Sequence, residues 1–259
     1  MTQEERMAFL TDYLRKEREE YRRIATPARL GDRRRLLRSL VNVRPPAPVS
    51  QEFLEIQDAY LQERLREKGV TEIEGLKPVQ PGLYLWQGDI TTLGCDAIVN
   101  AANSGMLGCF CPCHGCIDNA IHTFAGVQLR QECARIMSRQ GHEEVVGQAK
   151  ITPAYNLPCK YILHTVGPIV RGQLTRREEE QLAECYRACL ALGEEYRVKS
   201  IAFCCLSTGE FHFPRERAAE IAVGTVQEYR RQTSSEMKVI FNVFQDQDYE
   251  IYGRILGAG

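Results

Sequence analysis

Between positions 109 and 116 this chain carries Cys109, Cys111, Cys113, His114 and Cys116. Thiolate sulfur and imidazole nitrogen are the ligands that tetrahedral zinc selects. Disulfides are the competing use of so many thiols, but neighbours such as Cys111 and Cys113 span too few residues to bridge easily. The opening residues MTQEERMAFLTDYLRKEREE lack the apolar core of a signal peptide, so a reducing, cytoplasmic setting is expected. The cluster therefore reads as a metal site with zinc as its occupant. The other cysteines of the eleven, including Cys204 and Cys205 in a hydrophobic run, read as reduced core thiols. An amide-rich turn, Asn100-Ala101-Ala102-Asn103-Ser104, precedes the cluster. A helix start bearing Asp118, Asn119 and His122 follows it.

Two kinds of pattern must position these groups. Over residues 1–75 the spacing is helical. Met7, Leu10 and Leu14 share one face, and a second helix runs through Arg33-Arg34-Arg35-Leu36-Leu37-Arg38-Ser39-Leu40. Pro45, Pro46 and Pro48 stop it. Ser50 caps a third helix with Phe53, Ile56, Tyr60 and Leu61 on one side, and Gly69 ends that one. The arginine run reads as a solvated helix face, since Glu and Asp are plentiful nearby. The segment is expected to be a helical extension packed on the main domain, which occupies 76–259.

From Gly82 onward short apolar strands alternate with helices. The strands are Leu83–Trp86, Ala97–Val99, Gln148–Tyr155, Tyr161–Val166, Ile201–Cys205 and Met237–Val243. Helices follow over 117–124, 129–137, 175–196, 214–229 with Pro214 in the first turn, and 249–256. This alternation specifies an α/β sheet with helices on both faces. The net charge of −1 provides no field for nucleic acid, and no apolar run is long enough to cross a bilayer.

Three loops after strands carry polar or glycine-rich signals. They are Gln87-Gly88-Asp89-Ile90, the Asn100–Cys116 stretch, and Leu206-Ser207-Thr208-Gly209-Glu210-Phe211-His212-Phe213 before Pro214. In an open α/β sheet ligands bind outside the carboxyl ends of the strands, where small residues before a helix make an anion cradle. Gly88-Asp89-Ile90, Asn100–Ser104, Asp118-Asn119-Ala120-Ile121-His122 and Ser207-Thr208-Gly209 before Phe213-Pro214, in that order, resemble a macrodomain over roughly residues 80–257. Where hydrolytic macrodomains carry a glycine run, this chain has Gly108-Cys109-Phe110-Cys111-Pro112-Cys113-His114-Gly115-Cys116. That departure is similar to the zinc-containing macrodomains of bacteria and fungi, which also carry a helical N-terminal extension.

The resemblance implies a three-layer α/β/α sandwich with a mixed central sheet. It also implies a zinc-dependent hydrolase that removes mono-ADP-ribose from modified proteins, often beside a sirtuin-type ADP-ribosyltransferase acting on a lipoyl-carrier protein of glycine cleavage. The family pattern places one zinc on Cys109, His114 and Cys116, leaving a fourth position open as in catalytic sites. Cys111 and Cys113 sit where no thiol is required. Asp89, with Ile90 beside it, suits the exocyclic amino group of adenine, or else is a plain turn cap. Ser207, Thr208, Gly209, Glu210 and Phe211 would wall the pyrophosphate. Phe211 either stacks on the ligand or is a core aromatic, and His212 stands where many macrodomains have glycine. Asn103 would orient the distal ribose and Asp118 would face that ribose or an attacking water, making these two the catalytic pair. Asn100 is expected to hold the loop, and His122 to be a core or bracing histidine. An ester to Asp or Glu suits the chemistry because a carboxylate leaves well. A non-catalytic ADP-ribose reader and an O-acetyl-ADP-ribose deacetylase are the alternatives.

Overall fold

The structure is a computed structural model, and it describes residues 1–257. The last two residues of the 76–259 segment lie outside the described residues. Helix α1 (Gln3–Lys16) starts from a capping box in which Thr2 and Glu5 satisfy each other's backbone amides. Helix α2 (Leu30–Val43) follows, and α3 (Gln51–Lys68) is capped by Ser50 and closed by Gly69 at φ +81°. Met7, Leu10, Leu14, Leu37, Leu40, Phe53, Tyr60 and Leu61 form one buried cluster that also takes in Val127 and the edge of Phe124. The three helices are thus joined to the main body through an apolar contact.

Two strands of two residues each, β1 (Thr71–Glu72) and β3 (Leu93–Gly94), pair in parallel beside the main sheet. The main sheet holds β2 (Leu83–Gln87), β4 (Ala97–Ala102), β5 (Ala149–Pro153), β6 (Tyr161–Val166), β7 (Ser200–Phe203) and β8 (Lys238–Val243). Its order is β2-β8-β7-β4-β6-β5, parallel throughout except for β5, which runs antiparallel to β6. Helices α4 (Ile117–Ala125) and α5 (Val127–Gln140) pack together as one layer. The other layer is α6 (Arg176–Glu195), α7 (Arg215–Thr233) and α8 (Asp246–Leu256). This is the mixed, helix-flanked sheet the sequence implies. Strands buried on both faces read as unbroken apolar runs, as in Ala97–Val99 and Ile201–Phe203.

Several boundaries differ from the sequence reading for local reasons. Pro214 is the residue before α7 and not within its first turn. Helix α8 begins three residues earlier than the apolar spacing suggests, because Asp246 and Asp248 favour the positive end of a helix. The arginine run on α2 is not a uniformly solvated face. Arg38 turns inward and hydrogen-bonds to His114 and Asn119, because those groups present unpaired oxygens to α2.

Phe53 is fully buried at the centre of the extension, with its ring 4.7 Å from that of Tyr13. Phe53→Ala is expected to lower stability by about 3–5 kcal/mol through the cavity it leaves, measured by urea unfolding. An unchanged midpoint would mean that the three helices add nothing to the folded core.

Candidate functional site

Because β2, β8, β7, β4 and β6 run parallel, their carboxyl ends lie along one edge. The segments after Gln87, Ala102, Val166, Phe203 and Val243 all leave from it. The three loops singled out in the sequence therefore converge. On β4 the side chain of Asn100 is fully buried beside His164, its register partner on β6. Its amide nitrogen donates to Asp118 Oδ1 at 2.8 Å and stands 3.1 Å from His164 Nδ1. Asn103 adds a longer bond to Asp118 Oδ2 at 3.4 Å and donates to the Gly108 carbonyl at 3.2 Å. Asp118 is 5% exposed. Burial pushes its carboxyl up to about 6, against the opposing pull of Asn100 and Arg130.

Cys116 is the N-cap of α4, its sulfur accepting from the Asn119 amide. The helix that presents Asp118 therefore begins at one of the expected metal ligands. Cys109 Sγ lies 3.7 Å from His114 Nδ1, and the ligand atoms of Cys109, His114 and Cys116 all fall within 4.8 Å of one another. Zinc bonds of ~2.3 Å to sulfur and ~2.0 Å to nitrogen give tetrahedral edges of about 3.5–3.8 Å, so the donor set fits that ion. Burial pushes the Cys116 thiol up to about 12, with Cys109 adding to the effect. A coordinating divalent cation is what makes such a thiol a thiolate. Cys111 is exposed, and Cys113 Sγ points to the Arg35 carbonyl at 3.3 Å, so neither joins the group. All eleven cysteines are free.

His122 lies one turn beyond Asp118, buried as a core histidine. Its Nε2 is 3.5 Å from Asp118 Oδ1, but burial, with His164 and Arg130 nearby, holds the imidazole well below its ordinary range and therefore neutral. His122, Cys133 and His164 form a second, wholly buried set of close donor atoms. There the His164 nitrogens are already engaged. Nδ1 accepts from Asn100, which leaves Nε2–H to donate to Thr152 Oγ1 at 3.0 Å. This set forms the polar floor under Asp118.

The residues expected to contact a nucleotide are placed as follows. Asp89 is half-exposed after β2. It caps its turn through the Thr91 amide and hydroxyl, and Oδ2 takes a bond from Lys68 Nζ at 2.8 Å. That ammonium also sits 3.3 Å from the centroid of the Phe124 ring. Burial works against the Asp89 carboxylate, but Lys68 and Thr91 outweigh it and hold its pKa below the usual value. The Ile90 side chain is buried in the core. Ser207 through Phe211 form the turn between β7 and α7. It is pinned by the Phe213 amide on the Ser207 carbonyl at 3.0 Å and by Thr208 Oγ1 on Cys205 at 3.1 Å. Ser207 and His212 both take positive φ, 63° and 56°. His212 thus adopts the left-handed backbone for which glycine is the usual residue. Phe211 is half-exposed and Phe213 is the core aromatic. Glu210 reaches over to the cysteine loop, its Oε1 3.4 Å from His114 Nε2. The sequence reading missed Phe244, which is 75% exposed just after β8, its carbonyl taking a bond from Gln87. A large apolar residue directly after a buried strand, at the carboxyl edge, was the available signal.

The carboxyl edge of this parallel-rich sheet thus gathers a buried carboxylate, a Cys/His triplet and a glycine-bearing turn before a helix, the place where open α/β sheets bind ligands. The sequence profile of the Macro domain matches residues 99–222, and the chain belongs to the macrodomain family. Over 260 residues it is 58% identical to the protein-ADP-ribose hydrolase of Treponema medium, spanning 99% of this chain and 100% of that one. The protein-ADP-ribose hydrolase of Staphylococcus aureus strain MRSA252 is 50% identical over 95% of this chain and 93% of its own. The Trypanosoma brucei macrodomain solved in complex with ADP-ribose is 32% identical. It superposes with a TM-score of 0.66 over 85% of this chain and 95% of that one.

Gly108 has φ +81°, and a Cβ there would lie 2.7 Å from the His122 ring. Gly108→Ala is expected to cost about 2–4 kcal/mol from left-handed strain plus overpacking and to displace the carbonyl that Asn103 holds. Thermal unfolding and a crystal structure of the variant check this. Native stability with the loop unmoved would contradict it.

Proposed function

We propose that this chain is a hydrolase that removes mono-ADP-ribose from modified proteins and releases ADP-ribose. The observation that carries the reading is a buried Asp118, fixed by the amides of Asn100 and Asn103, on a helix whose cap belongs to the Cys109–His114–Cys116 triplet. The names of the two relatives, at 58% and 50% identity over nearly the whole chain, support it.

Asp89 accepts from the exocyclic amino group of adenine next to Ile90, and Phe244 offers an exposed ring for stacking. The Ser207–Phe211 turn, with Thr208, Gly209 and Glu210, presents backbone amides to the pyrophosphate before the N-terminus of α7. Asn103 orients the distal ribose through hydrogen bonds that need no charge. Asp118 accepts a hydrogen bond from the attacking water or a ribose hydroxyl and so aligns the two. Water adds its oxygen to C1″, the bond from C1″ to the side-chain oxygen breaks, the side chain leaves as a carboxylate, and the proton lost by the water passes to solvent. An ester to Asp or Glu is the linkage that needs least help, because its leaving group is a stable carboxylate. One zinc ion, when held by Cys109, His114 and Cys116, supplies Lewis-acid polarisation or an anchor for ribose hydroxyls or water.

The proposal extends to the setting that the sequence resemblance implies. That setting is a cytoplasmic enzyme opposing a sirtuin-type transferase, with a lipoyl-carrier protein of glycine cleavage as substrate. The macrodomain would occupy residues 76–259 behind a helical extension over 1–75. Among the described residues no helix is long and apolar enough to cross a membrane.

The test is release of ADP-ribose from an Asp- or Glu-linked mono-ADP-ribosylated protein by the native chain and by Asp118→Ala, with zinc assayed in both. Release by the native chain alone, falling at least about 100-fold in the variant while zinc is retained, is the expected result. Tight ADP-ribose binding without release from any linkage would identify a reader instead.

A further inference from the structure

The loop from Leu107 to Cys116 has no helix or strand of its own, yet two of the expected metal ligands sit on it and the third ends it. Much of what holds it comes from α2. Arg38 Nη2 donates to the His114 carbonyl at 3.0 Å, and its Nε and Nη2 fork onto Asn119 Oδ1 at 3.2 and 2.7 Å. Asn119 passes this hold on by donating to the carbonyls of Cys109 and Cys111 at 3.4 and 2.9 Å. One turn further along α2, the fully buried Asn42 accepts from the Cys113 amide at 2.9 Å and donates to Thr123 at 2.9 Å. Cys113 has φ +53°, a strained backbone for a non-glycine residue, and its thiol is bonded to the Arg35 carbonyl. From the other side Arg130 of α5 donates to the carbonyls of Val41, Asn42 and Arg44 at the end of α2. Its Nε reaches the Leu107 carbonyl, and its guanidinium lies 4.3 Å from the Phe110 ring centroid.

We propose that α2 of the N-terminal extension is part of the metal site, with Arg38 and Asn42 as positioning residues. They fix the backbone of residues 109–114 so that the side chains of Cys109 and His114 meet that of Cys116. A ligand set carried on irregular backbone gains affinity only if that backbone is ordered beforehand, and residues that orient ligands weigh almost as much as the ligands themselves. Arg38 also brings a fixed positive charge to a loop that must carry two thiolates when the metal is bound. The extension is then more than a stabilising appendage, since one of its helices helps shape the metal loop. This inference rests on the zinc reading of Cys109, His114 and Cys116.

The experiment measures the Zn2+ affinity of the full chain by competition with a chromophoric chelator. It also records the thiolate charge-transfer and d–d bands of the Co2+-substituted protein. Native chain, Arg38→Met and Arg34→Ala are compared. Arg34 pairs with Glu67 of α3 and serves as the control. Arg38→Met is expected to lose about 10–100-fold in zinc affinity and to show altered cobalt bands, with ADP affinity unchanged. Arg34→Ala is expected to match the native chain in all three. If Arg38→Met does not fold, Arg38→Lys keeps the charge but cannot make the fork, and it carries the same expectation. Native zinc affinity and native cobalt bands in the Arg38 variant would overturn the inference alone. A native chain that takes up neither Zn2+ nor Co2+ would overturn the zinc reading and this inference with it.

Discussion

A carboxylate almost wholly removed from water must be met by donors, and Asp118 is met by two asparagine amides. Much of the molecule can be understood from that requirement. Asn100 can serve only because β4 lies in the middle of the sheet, with β6 on one side and β7 on the other. Its amide is oriented by Asp118 and also by His164, whose Nδ1 takes the second hydrogen while Thr152 holds the far side of the ring. Burial presses the His164 imidazole down to about 3, which keeps it neutral and able to accept. A chain of four buried side chains, Thr152, His164, Asn100 and Asp118, thereby fixes the direction in which the carboxylate looks.

The second requirement is that an irregular loop rich in thiols be brought to the same place. The fold meets it with one residue shared between helix and site. Cys116 ends the loop, caps α4 and stands two positions before Asp118, so the Cys/His triplet and the carboxylate cannot move independently. Asn119, in the first turn of the same helix, ties the carbonyls of Cys109 and Cys111 to Arg38 of α2. The helical extension, the loop and the sheet meet at this one turn of α4. Glu210 faces His114 at 3.4 Å, which brings the Ser207–Phe211 turn toward the cysteine loop as well.

Much of this was legible in the sequence because the physics that formed it is periodic or local. Parallel strands buried on both faces appear as apolar runs, amphipathic helices as spaced ones, and Ser50 and Gly69 mark helix limits by capping and by positive φ. Five donors between 109 and 116 raised the expectation of a metal site, but spacing alone did not choose among them. The resemblance to zinc-containing macrodomains chose three, and the structure brings those three together. What stayed hidden depends on long-range geometry. The two-residue strands β1 and β3 are too short to show a period. Arg38 looks like its solvated neighbours until the facing loop is in place. Asp89 reads as an adenine contact with a turn cap as the alternative, and its partner Lys68, which comes from the end of α3, shows in neither reading. Phe244 is visible in the sequence as a large apolar residue directly after a buried strand, but its exposure follows from which edge of the sheet it leaves.

The measurement that bears most directly on the account is a crystal structure of the chain with ADP-ribose, with anomalous diffraction recorded on both sides of the zinc absorption edge. The account requires a single zinc peak among Cys109, His114 and Cys116, with the distal ribose lying between that peak, Asn103 and Asp118. An ADP-ribose whose distal ribose turns away from Asp118, or a triplet without metal in protein grown with zinc, would contradict it.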